Sequence, residues 1–197
     1  MMDFRGKRIG WAVTGSHCTI SRVLPEMRRL VDMGAEVRPI ASPAVLSEPT
    51  RFGAPEQWRA ELEAICGHRL WTSVVEAEPI GPQKLLDLLI VAPCTGNTLA
   101  KIANAITDGP VTMAVKAQLR NRRPVLLAVS SNDLLGLNAV NLARLLVVRD
   151  IYFVPFGQDD PTGKPRSLQS DLELIILAAE RALQGEQLQP LLIGRQA

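Results

Sequence analysis

The stretch LLIVAPCTGNT, residues 88–98, decides the fold class of this chain. Its first five residues are apolar on both faces of an extended chain, which is typical of a central strand in a parallel sheet covered by helices. Small and polar residues follow, and an amphipathic pattern begins at Leu99, with Ile102 and Ile106 on the same side. The stretch therefore predicts a buried strand that leads through a short polar loop into a helix.

The same order of strand and helix repeats on both sides of this stretch. Apolar runs predict strands at residues 9–13, 36–41, 88–92, 124–129 and 151–154, with a weak strand at 73–75. Apolar residues at helical spacing predict helices, including one before Gly34 and others at residues 58–65, 99–106, 111–119, 137–146 and 168–183. We therefore predict an α/β protein with a Rossmann-like, three-layer, doubly wound parallel sheet.

Two prolines refine this assignment. Pro25 lacks a backbone N–H and is tolerated only near the start of a helix, so the first helix should begin around Thr19 to Ser21. Pro39 indicates that the second strand lies at an edge of the sheet or ends there.

Length and composition suit one globular domain with a real core. Of the 197 residues, 47% are hydrophobic and 21% are charged. We expect a single domain over residues 1–197, with 185–197 as a peripheral extension or an oligomer contact. The net charge of +2 and the lack of aromatic residues in the basic cluster at 120–123 argue against a nucleic-acid partner.

The chain also lacks the signals of membrane and secreted proteins. No stretch approaches the length of an apolar membrane span, and the first residues contain no apolar signal core. Cys18, Cys66 and Cys94 have no CxxC spacing, which argues against a disulfide framework and a structural zinc site. We expect a cytoplasmic protein without membrane association.

In doubly wound sheets, ligands bind beyond the carboxyl ends of the strands. The first such loop places Gly15 and Ser16 before a helix, where N–H groups, hydroxyls and the helix dipole favour an anion; a plain strand-to-helix turn is the alternative. Neither GxxxxGK[ST] nor GxGxxG is present, and the second strand ends at Ala41 and Ser42 without an acidic residue for a ribose. These absences argue against NAD.

The loop at residues 93–98 is more informative. Pro93 stiffens the exit of the strand, Thr95 or Asn97 can cap the next helix, and Thr98 adds a hydroxyl. The Asn97 amide has both a donor and an acceptor, so it suits an imide edge such as that of a flavin ring, and capping alone is the alternative. After the strand at 124–129, Asn132 is a further candidate for ligand contact.

Residues 92–108, APCTGNTLAKIANAITD, resemble a signature of the FMN-dependent cysteine-decarboxylase-like flavoproteins. In that family the signature reads PAS/T-x-N-T followed by KIANGxxD. The resemblance implies a flavoprotein fold, FMN as cofactor and a homo-oligomer. We accordingly expect the FMN phosphate near Gly15, Ser16 and Ser42. The ring and ribityl chain are expected near the loop residues Pro93, Thr95, Asn97, Thr98 and Asn132.

Further stretches, at residues 14–19, 77–82, 119–124 and 151–160, resemble the flavoprotein B subunits of the dipicolinate synthase family. This resemblance covers nearly the whole chain. It implies a partner A subunit with a dinucleotide-binding domain and a small dicarboxylate substrate, oxidised to dipicolinate in sporulation. Such a dianion calls for cations, for which the candidates are Lys101, Lys116, Arg120 and Lys164, with solvated faces as the alternative for each.

Two departures from the decarboxylase pattern leave the chemistry open. The decarboxylases carry a catalytic histidine upstream of the PAS/T motif, where residues 78–81 here read EPIG, and their third signature is replaced by AVSSNDL at 128–134. A decarboxylase is therefore the weakest hypothesis. An FMN-binding oxidoreductase subunit leads, and a non-catalytic partner that stabilises the A subunit or delivers its substrate is the alternative. The catalytic residues are unassigned, and Cys94 is expected to pack rather than react.

Overall fold

A computed structural model describes residues 3–194, so both ends of the predicted domain and the last three residues of the predicted extension lie outside the described residues. Seven strands form one sheet. They are β1 (Arg8–Val13), β2 (Glu36–Ala41), β3 (Leu88–Cys94), β4 (Val125–Ser131), β5 (Ile151–Phe153), β6 (Phe156–Gly157) and β7 (Leu168–Ser170). Their order is β2-β1-β3-β4-β7-β6, and β5 also pairs with β4. β1 to β5 run parallel, while β7 runs antiparallel to both β4 and β6.

Helices cover both faces of this sheet. They are α1 (His17–Asp32), α2 (Pro43–Leu46), α3 (Pro55–Cys66), α4 (Val74–Ala77), α5 (Ile80–Gln83), α6 (Gly96–Ala103), α7 (Pro110–Arg120), α8 (Ala139–Leu146) and α9 (Ile175–Leu183). One core lies between the sheet and α1, α2, α3 and α9, and the other lies between the sheet and α4 to α8. The predicted three-layer, doubly wound α/β architecture is confirmed, with an antiparallel pair of short strands, β6 and β7, added at one side. Within residues 3–194, no helix combines the length and apolar character needed to cross a membrane.

The central strand β3 shows why this sequence forms a layered sheet. All seven of its residues are buried. Leu88, Ile90 and Ala92 face the core beneath α1 and α9, and Leu89 and Val91 face the opposite core. Successive side chains of a strand point to opposite faces, so a run that is apolar throughout requires a cover on both sides.

Two secondary-structure predictions are wrong. Ser73 does not begin a strand, because its hydroxyl accepts the Glu76 N–H at 3.2 Å and the Glu76 carboxylate accepts the Ser73 N–H at 3.0 Å, forming a capping box that starts α4. Leu168 does not begin a helix, since residues 168–170 form β7 instead. There the Ser170 hydroxyl accepts the Val129 N–H at 2.9 Å, which fixes β7 against β4.

Of the two predictions based on proline, one is confirmed and the other is wrong. β2 lies at an edge of the sheet, as Pro39 predicted. Helix α1 begins at His17, earlier than predicted, so Pro25 lies inside the helix. Pro25 is exposed, and so is Ser21, whose carbonyl would otherwise accept an N–H from residue 25, so the lost hydrogen bond faces solvent. The buried apolar stripe on the opposite side of α1 offsets this cost.

The chain after α9 returns to the sheet. The Gln187 side chain accepts the Phe153 N–H at 2.8 Å and donates to the Phe153 carbonyl at 2.7 Å. The Phe156 N–H donates to the Leu191 carbonyl at 3.0 Å. The described part of the predicted C-terminal extension therefore lies along β5 and β6.

One buried hydroxyl joins the ends of β1 and β3. Thr14 is fully buried; it donates to the Pro93 carbonyl at 2.6 Å and accepts the Thr95 N–H at 3.0 Å. Close by, the Trp11 indole donates to the Ala92 carbonyl at 3.0 Å. The pairing of β3 with β4 shifts register at this point. Side chains therefore form the hydrogen bonds of backbone N–H and C=O groups that have no partner within the sheet.

We expect Thr14→Val to lower the free energy of unfolding by about 1–3 kcal/mol, because it leaves the buried Pro93 carbonyl and the partly buried Thr95 N–H without their partner. Thr14→Ser keeps the hydroxyl and loses one methyl group, worth about 1 kcal/mol. Urea denaturation of both variants compares the two effects. A valine variant as stable as the serine variant would show that shape, and not the hydroxyl, matters at this position.

Candidate functional site

The order of the strands creates a crevice at one edge of the sheet. From β1 the chain passes outward to β2 and then returns to β3 on the other side of β1. The loops after β1 and β3 therefore diverge, which is where doubly wound sheets bind ligands. A small cavity of about 360 Å³ and a large cavity of about 910 Å³ adjoin here, and Gly15, Thr95 and Asn97 line both.

The predicted site residues gather around these two cavities, with one exception. The small cavity is lined by Gly15, Ser42, Thr95, Asn97 and Thr98. The large cavity is lined by Gly15, Ser16, Thr95, Asn97 and Asn132. Pro93 lines neither cavity, because it is buried within β3 and its carbonyl faces Thr14.

The first loop presents hydroxyls and a helix N-terminus to the large cavity. The hydroxyls of Ser16, Thr19 and Ser130 lie 3.0 Å from one another. Helix α1 begins at His17, directly after Ser16, and has no acidic side chain in its first turn. The first N–H groups of a helix have no acceptor within it and carry partial positive charge. This arrangement suits an anionic group.

Buried side-chain atoms at the cavity walls lack hydrogen-bond partners within residues 3–194. They include Ser42 Oγ, beside the small cavity, and His17 Nδ1, beside the large one. A buried polar atom without a partner costs about 1–3 kcal/mol. A ligand that carries several oxygen or nitrogen atoms would satisfy such atoms, so the residues present fit a polar, phosphorylated cofactor.

In the loop before α6, one residue caps the helix and another remains available for contact with a ligand. Thr95 caps the helix, since its hydroxyl accepts the Thr98 N–H at 3.2 Å. Asn97 is exposed, and its amide forms no side-chain hydrogen bond with the part of the chain that the structure describes. Its donor and acceptor therefore both remain available. Like α1, α6 has no acidic residue in its first turn.

Gly96 is a site residue to which sequence reasoning gave no role. A Cβ at this position would lie 2.6 Å from Ser131 Oγ and 2.7 Å from Asp133 Oδ1. The Asp133 carboxylate accepts the Ser131 hydroxyl and the Asn138 amide, each at 2.7 Å. A missing side chain at residue 96 thus lets the loop after β4 pack against α6. This packing holds the neighbouring Asn132 at the cavity wall.

The four predicted cations divide between the cavities and the outer surface. Lys101 lines the small cavity and pairs with Asp108 at 2.7 Å, a hydrogen bond that lowers the pKa of Asp108. Lys164 lines the large cavity. Lys116 and Arg120 are exposed on α7 and line neither cavity. Arg22, which the sequence pattern did not single out, also lines the large cavity.

The reactive residue types offer little acid–base chemistry. Cys94 is fully buried, and burial raises the pKa of its thiol to about 12, so its predicted packing role is confirmed. Of the two histidines, His17 lines the large cavity and His68 lies 3.7 Å from Glu36, outside both cavities. No group of three or more His, Cys, Asp or Glu among the described residues is placed to hold a metal ion.

Comparisons with known proteins agree with this geometry. A sequence model of the Flavoprotein family matches residues 2–173. The dipicolinate synthase B protein of Bacillus subtilis (strain 168) is 49% identical over 193 residues, which cover 98% of this chain and 96% of that protein. The crystal structure of the corresponding B protein of dipicolinate synthase from Bacillus halodurans C superposes with a TM-score of 0.91 at 47% identity, covering 99% of this chain and 100% of that one.

A more distant structure shares the fold alone. It is that of the FMN-dependent cysteine decarboxylase SpaF, with a TM-score of 0.64 at 21% identity over 92% of this chain and 98% of that one. The family match and the extended identity to the two B subunits cover almost the entire sequence. The chain therefore belongs to the Flavoprotein family and, within it, to the family of dipicolinate synthase B subunits.

Proposed function

We propose that this chain is the FMN-binding B subunit of a dipicolinate synthase and that FMN occupies the crevice between the loops after β1 and β3. The observation that carries the proposal is the convergence on that crevice of two helix N-termini and of buried polar atoms that have no hydrogen-bond partner within residues 3–194. Membership of the Flavoprotein family supports a flavin as the ligand. The identity to B subunits supports the reaction.

The phosphate is assigned to Gly15, Ser16 and Ser42. The N-terminus of α1 favours a dianion, and hydroxyl donors come from Ser16 in the large cavity and Ser42 in the adjoining small one. Gly15 permits the close approach, because a Cβ there would already lie 3.0 Å from the Ala44 side chain. Any larger residue at position 15 would narrow the passage that connects the two cavities.

The ring and the ribityl chain are assigned to the loops after β3 and β4. The Asn97 amide has no side-chain partner among the described residues, so it offers a donor and an acceptor that match the alternating acceptors and donor of a flavin imide edge. The Thr95 hydroxyl donates to Thr98 Oγ1 at 3.1 Å, which leaves the Thr98 proton available for a ligand. Asn132 supplies a further amide from the opposite wall. Pro93 contributes only through the loop that it precedes.

The bound flavin would supply the redox chemistry, accepting the electron pair removed when a dihydropyridine dicarboxylate becomes aromatic. The residues of this chain bind and orient, since hydroxyls and amides line both cavities together with the charged side chains of Lys101, Lys164 and Arg22. In this function the chain works in the cytoplasm during sporulation, together with a partner A subunit that carries a dinucleotide-binding domain.

Exposed apolar side chains around α8 support assembly into a homo-oligomer. Leu137 is 92% exposed, Val147 84% and Val140 54%. Clustered apolar exposure of this kind usually marks a protein contact. The proposal places a second copy of the chain on this face.

Flavin binding is measured directly by titrating the purified chain with FMN and following the quenching of flavin fluorescence. We expect binding at micromolar FMN, and we expect Asn97→Ala to weaken it about three- to tenfold, the value of one hydrogen bond. Gln184→Ala, an amide outside both cavities, is the control. Absence of quenching contradicts the cofactor assignment, and equal affinities in the Asn97 variant and wild type remove Asn97 from the site.

The position of the cofactor is tested by thiol labelling. Cys18 is exposed and lines the large cavity, whereas Cys66 and Cys94 are buried thiols whose pKa values are raised to about 12. We expect one fast-reacting thiol in the folded chain, slowed severalfold by saturating FMN, and none in Cys18→Ser. A labelling rate that FMN leaves unchanged would place the flavin elsewhere.

Electron transfer is tested by mixing both subunits with a dihydrodipicolinate-type substrate under anaerobic conditions. We expect the visible absorption of the bound oxidised flavin to bleach as dipicolinate forms. If dipicolinate forms while the flavin stays oxidised, the chain acts as a non-catalytic partner of the A subunit.

A further inference from the structure

The large cavity is lined by a cation, Arg22, that has no ionic partner among the residues that the structure describes. Arg22 lies on α1 and lines both the large cavity and a third cavity of about 780 Å³ beside it. Among residues 3–194, its guanidinium forms no ion pair with any carboxylate. The amide nitrogen of Gln169, which lines the same cavities, is buried and has no hydrogen-bond partner in this part of the chain either.

A second cation that lines the large cavity is only loosely held. Lys164 Nζ lies 3.5 Å from Asp159, and the Lys164 side chain is 58% exposed. Burial opposes ionisation of Asp159, but hydrogen bonds from Ser167 and the charge of Lys164 outweigh it and lower its pKa. Because an exposed ion pair at this distance contributes little, Lys164 can turn toward a ligand carboxylate at small cost.

An aromatic ring faces the same space. Phe52 lines the large cavity and is 42% exposed. It lies on a turn closed by two backbone hydrogen bonds between Thr50 and Gly53, of 3.0 and 3.1 Å, and Gly53 packs against the Trp58 ring. The guanidinium carbon of Arg51 lies 4.8 Å from the Phe52 ring centre. The exposed part of this ring suits stacking on a planar ligand.

We propose that Arg22, Lys164 and Phe52 form a subsite of the large cavity that selects a planar ring carrying two carboxylates. The two cations bind one carboxylate each, and Phe52 stacks on the ring. A monocarboxylate leaves one cation unused and therefore binds more weakly. This inference rests on the proposed function, because it names the residues that recognise the substrate and product of that reaction.

The test is calorimetric titration of the full chain, with and without FMN, using pyridine-2,6-dicarboxylate and pyridine-2-carboxylate as probes. We expect wild type to prefer the dicarboxylate by about tenfold, the value of one charge-assisted contact. Arg22→Gln should lose most of this preference. Phe52→Leu should weaken both probes severalfold and keep their ratio, because stacking does not depend on the second carboxylate.

Arg28→Gln is the matched control, since Arg28 is an arginine on the same helix that lines none of the three cavities. It should bind both probes as wild type does. Equal preference in Arg22→Gln and Arg28→Gln overturns the subsite.

Titrating FMN into the same variants separates the two proposals. If FMN binds and wild type does not favour the dicarboxylate, the subsite is overturned and the cofactor assignment stands. If the dicarboxylate is favoured and FMN does not bind, the subsite stands and the cofactor assignment fails.

Discussion

The hydrogen bonds of the Thr14 hydroxyl to Pro93 and Thr95 are the interaction on which the rest of the site depends. Proline removes a donor from β3 just where the pairing with β4 shifts register. The relative position of the ends of β1 and β3 is therefore set by a side chain and not by the sheet. Gly15, which follows Thr14, and Thr95, whose N–H donates one of these bonds, line both cavities.

The consequence is a crevice whose two walls are fixed before any ligand binds. Helices α1 and α6 begin within a few residues of Thr14 and Thr95, so their N-termini converge on the same space. Neither helix has an acidic residue in its first turn to compete with an anion. The lack of a side chain at Gly96 lets the loop after β4 approach α6 and completes the crevice.

Much of the fold and the position of the cavities follow from local sequence signals. Continuous apolar runs predict buried parallel strands, and the carboxyl ends of such strands share one edge, so hydroxyl-rich loops after different strands meet. The features that the sequence does not predict are those that depend on contacts between residues far apart in the chain. β7 is only three residues long and exists because Ser170 and its neighbours bond to β4. Pro93 has the character of a loop residue but is held in the strand by Thr14.

Arg22 is a residue of the site whose position likewise could not be predicted from the local sequence. On α1 it has the pattern of any arginine on a solvated helix face, and it becomes a cavity residue only because residues 159–169 fold beside it. Among the described residues, the folding of distant segments beside one another does not supply the general acids and nucleophiles that a histidine-dependent decarboxylase would need. The thiol of Cys94 is buried, and Lys101 is paired with Asp108. The side chains that line the two cavities are suited to binding and orienting a ligand. Under the proposed function, the chemistry lies with the cofactor, and the protein contributes geometry and charge.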